Sequence, residues 1–331
     1  MNILSPVNGV KDIYILDPFI YGTEFFFGYM PEWWIKKYNG ANSEFMKILS
    51  TPINNRNDIK ANVLSGEEVV KMVYATAEKN TKLYLVLNAK YYPEYVYEDL
   101  KRYIREVYEM GIRYFICCDL GMIKLLEMTF PDVKVVISCL NQVTNSMAVD
   151  FYSQFKNVSK IVFPRHMSSE EIKCIAVRHP EMEFEYFIFS NKCMYDDGYC
   201  RGLHAFTPIC KEQFINTYYD RILGEVMTDI DDSEYWAWTK SEEDSARNGY
   251  CTPNFACSAC SLLELAKIKN ITTVKMSIRG HAIEERLRQV QMARRAIQCA
   301  FNNDLQGLRN VVCSIYGKDD LCRSRNSCMM V

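Results

Sequence analysis

Residues 82–119 read KLYLVLNAKYYPEYVYEDLKRYIREVYEMGIRYFICCD. Two short apolar runs bracket a segment in which Tyr97, Leu100, Ile104 and Val107 recur at helical spacing, the pattern of strand, amphipathic helix, strand. The same unit extends in both directions along the chain. Strands are expected at 2–5, 24–29, 82–88, 114–119, 134–139, 160–165, 183–190 and 273–279. Between the sixth and seventh, Ile172, Ile175 and Ala176 mark a helix, and Val69, Val70 and Val73 mark another after a polar loop at 50–65. Runs such as LYLVLNA (83–89) and KVVISCL (134–140) are almost continuously apolar, which suits parallel strands covered on both faces. Eight such units favour an α/β fold closed as a (β/α)8 TIM-type barrel, with an open doubly wound sheet as the structural alternative.

Composition narrows the class of protein. The chain has 331 residues, 49% of them hydrophobic, enough for a sizeable core. Lys and Arg total 39 against 41 Asp and Glu, a net charge of −2, so no overall basic field points to nucleic acid, although a local basic patch is compatible with it. The N-terminus lacks a basic region followed by an apolar core and a cleavage site, and no run approaches the roughly 18 apolar residues of a membrane span. The expectation is a cytoplasmic protein with no membrane partner.

Six of the 14 cysteines fall within 190–268, after the seventh strand. Cys193, Cys200 and Cys210 lie in loop sequence, Cys251 stands further on, and Cys257 and Cys260 open what reads as a helix from near Ser258. In a reducing compartment, thiols gathered from loops and a helix start suit a soft metal centre, either an iron–sulfur cluster or zinc. The competing interpretation is a set of small buried hydrophobes and free thiols.

A barrel presents reactive groups at the C-terminal ends of its strands. The expected strands deliver Ser5, Asn88, Asp119, Asn141, Arg165, Cys193 and Arg279 to one mouth. Two arginines there suit a carboxylate or phosphate, though either could serve a structural ion pair, and Asp119 could equally cap a helix. Past the last strand, Ile283, Leu287, Val290 and Ile297 mark a long helix whose Arg286, Arg288, Arg294 and Arg295 read as a solvated face. A further helix is expected at 304–316.

Several of these stretches together resemble the U32 peptidase family, the collagenase-like peptidases that include ubiquinone and tRNA hydroxylation proteins. They are LVLNA (85–89), CDLGMIKLL (118–126), SCLNQVTNS (138–146), FPRHMSSEEI (163–172), KCMYDDGYC (192–200), CSACSLLELAKI (257–268) and VKMSIRG (274–280). The resemblance implies a barrel-type fold and, as in many members, a 4Fe–4S cluster. Its ligands by position would be Cys193, Cys200, Cys210 and Cys257, with Cys251 and Cys260 as substitutes. Two departures remove a carboxylate each: His166 follows the mouth arginine where relatives carry an acid, and Ser277 stands where the closing strand commonly has Glu.

The expected organisation is therefore 1–190 for the first seven strands, 191–257 for a cysteine-rich insertion and 258–316 for the closing helix, eighth strand and C-terminal helices, with a loosely ordered tail at 317–331. The resemblance implies oxygen-independent hydroxylation or a related modification, with peptidase activity or a non-catalytic, cluster-bearing subunit as alternatives. There is no HExxH or GxSxG and there are only four histidines, which speaks against proteolysis, and no catalytic residue is assigned. Asn88, Asp119, Asn141, Arg165 and Arg279 are the expected binding residues for a small carboxylic acid, and a second barrel of the same family is an expected partner.

Overall fold

The computed structural model describes residues 1–16, 22–39, 53–56, 59–191, 198, 215–220, 224–230 and 255–316. All eight expected strands are present: β1 (Asn2–Pro6), β2 (Thr23–Tyr29), β3 (Leu83–Leu87), β4 (Tyr114–Cys117), β5 (Lys134–Ile137), β6 (Val158–Val162), β7 (Glu183–Asn191) and β8 (Ile271–Met276). Each pairs in parallel with its neighbours in sequence order, and β8 returns to β1 with Asn2 opposite Thr273. The sheet therefore closes, and the doubly wound alternative is excluded.

A helix follows every strand or its loop: α1 (Val10–Leu16), α2 (Gly66–Glu78), α3 (Tyr97–Glu109), α4 (Leu120–Thr129), α5 (Ser146–Ser153), α6 (Ser169–Arg178), α7 (Leu262–Leu265) and α8 (Ile283–Phe301), with α9 (Leu305–Tyr316) appended. Local chemistry starts several of them. Ser168 and Glu171 form a reciprocal capping box on α6, and Asn145 caps α5 through the Ala148 amide. Among the described residues no helix is long and apolar enough to cross a membrane.

Strand alternation separates two cores. One face packs Ile3, Phe25, Leu85, Phe115, Val135 and Ile161 against the helices, while the other fills the barrel with Leu4, Phe26, Val86, Ile116, Val162 and Phe187. Charged residues also enter the barrel, in paired form. Lys160 donates to Glu24 at 3.1 Å and to Thr273 at 2.7 Å, and Tyr84 donates to Glu24 at 3.1 Å. One layer up, Lys275 donates to Glu185 at 2.8 Å. Burial alone would raise the Glu24 pKa, but Lys160 and Lys82 together hold it below the usual carboxylate range.

Two local expectations are corrected. Cys257 does not open a helix: residues Phe255–Cys257 form a strand antiparallel to β7, with Phe255 opposite Asn191 and Cys257 opposite Phe189. The free edge made by the long β7 captures this segment before the first helical turn at Ala259. Arg286 does not lie on a solvated face either. It is 3% exposed and donates to Asp12 of α1 at 2.5 Å and to the Pro6 carbonyl at 3.3 Å. The solvated-face reading fits Arg295, which is exposed, while Arg288 pairs with Glu285 at 3.0 Å.

Candidate functional site at the barrel mouth

The loop after β2 builds one side of the mouth. Asn54 donates from Nδ2 to Asn62 Oδ1 at 2.8 Å, and Asn62 donates to the Arg56 carbonyl at 2.7 Å. Asn54 Oδ1 receives the Arg56 amide at 3.0 Å and Nη2 of Arg279 at 2.7 Å. Arg56 then reaches across to the Arg279 carbonyl at 2.8 Å. Asn88, at the end of β3, accepts from the Asn55 amide at 3.1 Å. Side-chain amides thus replace a regular ladder and fix this short irregular segment against β8.

Arg279 is 5% exposed, and its Nη1 is buried without a hydrogen-bond partner among the described residues. Its close approach to β2 requires glycine there, because a Cβ on Gly28 would stand 2.8 Å from Nη1 and 2.2 Å from Asn62 Oδ1. Burial, with the neighbouring Arg56 adding, pulls the Arg279 pKa down to about 9, which leaves it charged at neutral pH. His281 is lowered by burial and then by Arg56 and Arg286. The site therefore concentrates positive charge around a buried guanidinium that meets no carboxylate among the described residues.

The other expected residues have distinct placements. Asp119 caps α4 through the Met122 amide at 2.8 Å and accepts from Tyr97 at 3.3 Å, so its helix-capping role is realised. Asn141 donates to the Cys118 carbonyl at 2.7 Å and to the Tyr152 hydroxyl at 2.8 Å. Arg165 stands over the Phe187 ring at 4.9 Å and lines a crevice with Tyr186, Ser258 and Ser261. Arg165 leans towards β7, over Phe187, while Arg279 leans towards β2, against Gly28 and Asn54. Ser5 belongs to the helix-facing side of β1 with Ile3 and Val7, not to the mouth lining. The sequence reading missed Asn54, Arg56, Asn62 and His281; the dense NNRND at 54–58 was the available signal.

Cys193, Cys200, Cys210 and Cys251 lie outside the described residues, and among those described no group of three metal-binding side chains gathers. Two observations nonetheless fit a thiolate centre above the mouth. Cys257 is half-buried and its Sγ accepts the Ala259 amide at 3.4 Å, the kind of N–H···S contact that cluster sulfurs receive. Its strand also runs back beside the last residues of β7, and Cys193 follows Asn191 by two residues. Cys260, also half-buried, lies one turn further on at the start of α7. Inside the mouth Cys118 is different: burial pushes its thiol up to about 12, with Lys90 opposing and Asp119 adding.

These features define a TIM-type barrel with a polar cluster at its C-terminal rim, and a cysteine-bearing stretch of sequence follows the seventh strand. The chain belongs to peptidase family U32, whose family model matches residues 49–318. It is similar to "tRNA hydroxylation protein P" of Escherichia coli (strain K12), with 34% identity over 104 residues, 30% of this chain and 23% of that protein. The protein of the same name from Haemophilus influenzae (strain ATCC 51907 / DSM 11121 / KW20 / Rd) is 29% identical over 104 residues, 30% of this chain and 22% of that one. The match thus spans under a quarter of these relatives' length. A solved U32 peptidase, Mk0906, aligns over 57% of this chain and 69% of its own at 11% identity, with a TM-score of 0.41.

Proposed function

We propose that this chain is a modifying enzyme of oxygen-independent hydroxylation or a closely related reaction. In this reading Cys193, Cys200, Cys210 and Cys257 hold a 4Fe–4S cluster above the mouth, and Arg279 holds a small mono- or dicarboxylic acid beside it. The observation that supports the reading is Arg279, a buried guanidinium whose Nη1 has no hydrogen-bond partner and which meets no carboxylate among the described residues, at the rim of the barrel. A buried charge without a partner is costly, and a bound anion offsets that cost. Ser277 is part of the cause, since the acid that the closing strand commonly carries is missing at that position. The names of the relatives support hydroxylation as the class of reaction.

A cluster bound there would supply electrons or, at an iron lacking a protein ligand, a Lewis-acidic position. The residues of the chain do the binding and orienting. Asn54 fixes the plane of the Arg279 guanidinium through Nη2, leaving Nη1 to the anion. Arg56 adds positive charge beside it, while burial and the neighbouring Arg56 and Arg286 hold His281 towards its neutral form in the free protein. Proteolysis is disfavoured because the Cys118 thiol at the mouth is pushed away from the thiolate form by burial, the opposite of an activated nucleophile. The loss of carboxylates at His166 and Ser277 favours one second reading, a cluster-bearing subunit that serves another barrel of the family. Anaerobic purification with iron and sulfide analysis, then calorimetry with a panel of small acids, tests the proposal. About four irons per chain as a 4Fe–4S centre requires, and acid binding that Arg279→Lys weakens, are expected. Stoichiometric zinc without sulfide overturns the cluster, and no acid binding moves the assignment to the subunit.

A further inference from the structure

Gly198 lies between Cys193 and Cys200 in sequence and touches the barrel at two points. Its carbonyl accepts from Lys90 Nζ at 2.7 Å. Its Cα faces Gln142 so closely that a Cβ would fall 2.2 Å from Gln142 Cγ, 3.0 Å from Cδ and 3.1 Å from Nε2. Lys90 follows β3 and Gln142 follows β5, whereas the insertion leaves from β7. In an eight-stranded ring β3 is diametrically opposite β7, so a residue of the insertion reaches the far wall of the mouth.

The surface that receives Gly198 is built to hold its shape. Gln142 has φ 51° and ψ 49° and ends the helical turn Cys139–Asn141. A left-handed conformation at a residue other than glycine costs about 1–2 kcal/mol, so something must hold it. Asn141 does so, bridging the Cys118 carbonyl and the Tyr152 hydroxyl at 2.7 and 2.8 Å. Ser138 accepts the Leu140 amide at 3.4 Å within the same turn. Asn141, expected to bind a ligand, is thereby occupied in aiming Gln142.

We infer that Lys90 and Gln142 form a seat for Gly198, and that seating Gly198 there supports metal binding by the cysteines that flank it in sequence, Cys193 and Cys200. The inference rests on the cluster reading for its purpose but not for its geometry. The glycine requirement is steric: Gly198 is not among the residues with positive φ, so a side chain is barred by Gln142 and not by backbone conformation.

The test uses the full chain, prepared anaerobically. Gly198→Ala should lower bound iron at least twofold and speed its loss to a chelator about tenfold, with the melting temperature of the barrel unchanged. Lys90→Met, which keeps the stem and removes the donor, should act in the same direction more weakly, while Lys71→Met on α2 should do nothing. Adding Gln142→Ala to Gly198→Ala should restore iron retention, because it makes room for the new methyl. Full retention in Gly198→Ala, or no rescue by Gln142→Ala, overturns the seat. If the wild type holds no iron, the cluster reading fails by itself, and amide hydrogen exchange still decides the seat. Gly198→Ala should then raise exchange near Lys90 and Gln142, and unchanged exchange there refutes the contact.

Discussion

Replacing Arg279 by Met should make the ligand-free protein more stable while abolishing anion binding. Met keeps an unbranched stem of similar reach and removes the charge. The guanidinium is 5% exposed, and burial pulls its pKa well below the ordinary arginine value, to about 9, so folding disfavours its charged form. Against this, the variant loses the Nη2 bond to Asn54, worth about 1 kcal/mol, and some packing against Gly28. Asn54 Oδ1 is not left bare, because the Arg56 amide still donates to it at 3.0 Å. The net expectation is a gain of about 1–3 kcal/mol, the scale of relieving one buried unsatisfied charged donor. A base whose folded pKa is depressed carries its full penalty below that folded value, and the penalty fades only as pH climbs above about 9. The gain should therefore be the same throughout the neutral range. Urea denaturation in buffer free of carboxylate and phosphate measures it. At an acid concentration a hundred times Kd, the wild type should recover about 2.7 kcal/mol and the variant nothing. A variant destabilised in ligand-free buffer would refute the reasoning, since it would mean that Arg279 has a structural partner and is not waiting for a ligand.

Three further outcomes are expected. Lys160, 2% exposed, should cost about 3–5 kcal/mol on replacement by Met, because Glu24 is left buried with only Lys82 to balance it. In the wild type the Glu24 contribution is present above the unfolded carboxylate pKa and is lost only as pH falls below 4.5. In the variant burial raises that pKa, so the deficit should narrow as denaturation is repeated at pH values descending from neutral. Since His281 is lowered in the free protein, a bound anion should raise it and binding should take up a proton, visible as a buffer-dependent heat near pH 6 that His281→Gln removes. Finally, Cys257→Ala should abolish the brown colour and iron content expected of anaerobic protein, whereas Cys322→Ala, in the C-terminal tail, should leave both unchanged.

The barrel was legible because its strands are buried on both faces and its helices on one, so period and run length report directly on layers. Boundaries slipped where tertiary pairing overrode local signals. Phe255–Cys257 reads as the approach to a helix, yet the long β7 offers it a strand edge. Arg286 stands in a helix sequence rich in basic residues, but it is buried and pairs with Asp12, far away in sequence. The expected site was half legible for a similar reason. Strand ends can be read from a periodicity, which places Asn88, Asp119, Asn141, Arg165 and Arg279 near the mouth. Where each side chain then points depends on partners such as Asn54, Phe187 and Tyr152, and no local pattern encodes those.

The placement of charge within the barrel is compatible with the anion site proposed at Arg279 in a chain of net charge −2. Below the mouth, Glu24 is matched by Lys160 and Lys82, and Glu185 by Lys275, so the interior carboxylates are neutralised by lysines from other strands. Among the described residues none of these carboxylates is paired with Arg279 at the rim, and position 277 on the approach to it is a serine. Net charge averages over the surface and is −2, whereas a ligand at the mouth meets the local excess of Arg279, Arg56 and their neighbours, in a setting where burial reduces screening. Introducing an acid by Ser277→Glu would therefore change anion affinity far more than its single unit of net charge suggests, because it would neutralise the guanidinium from within.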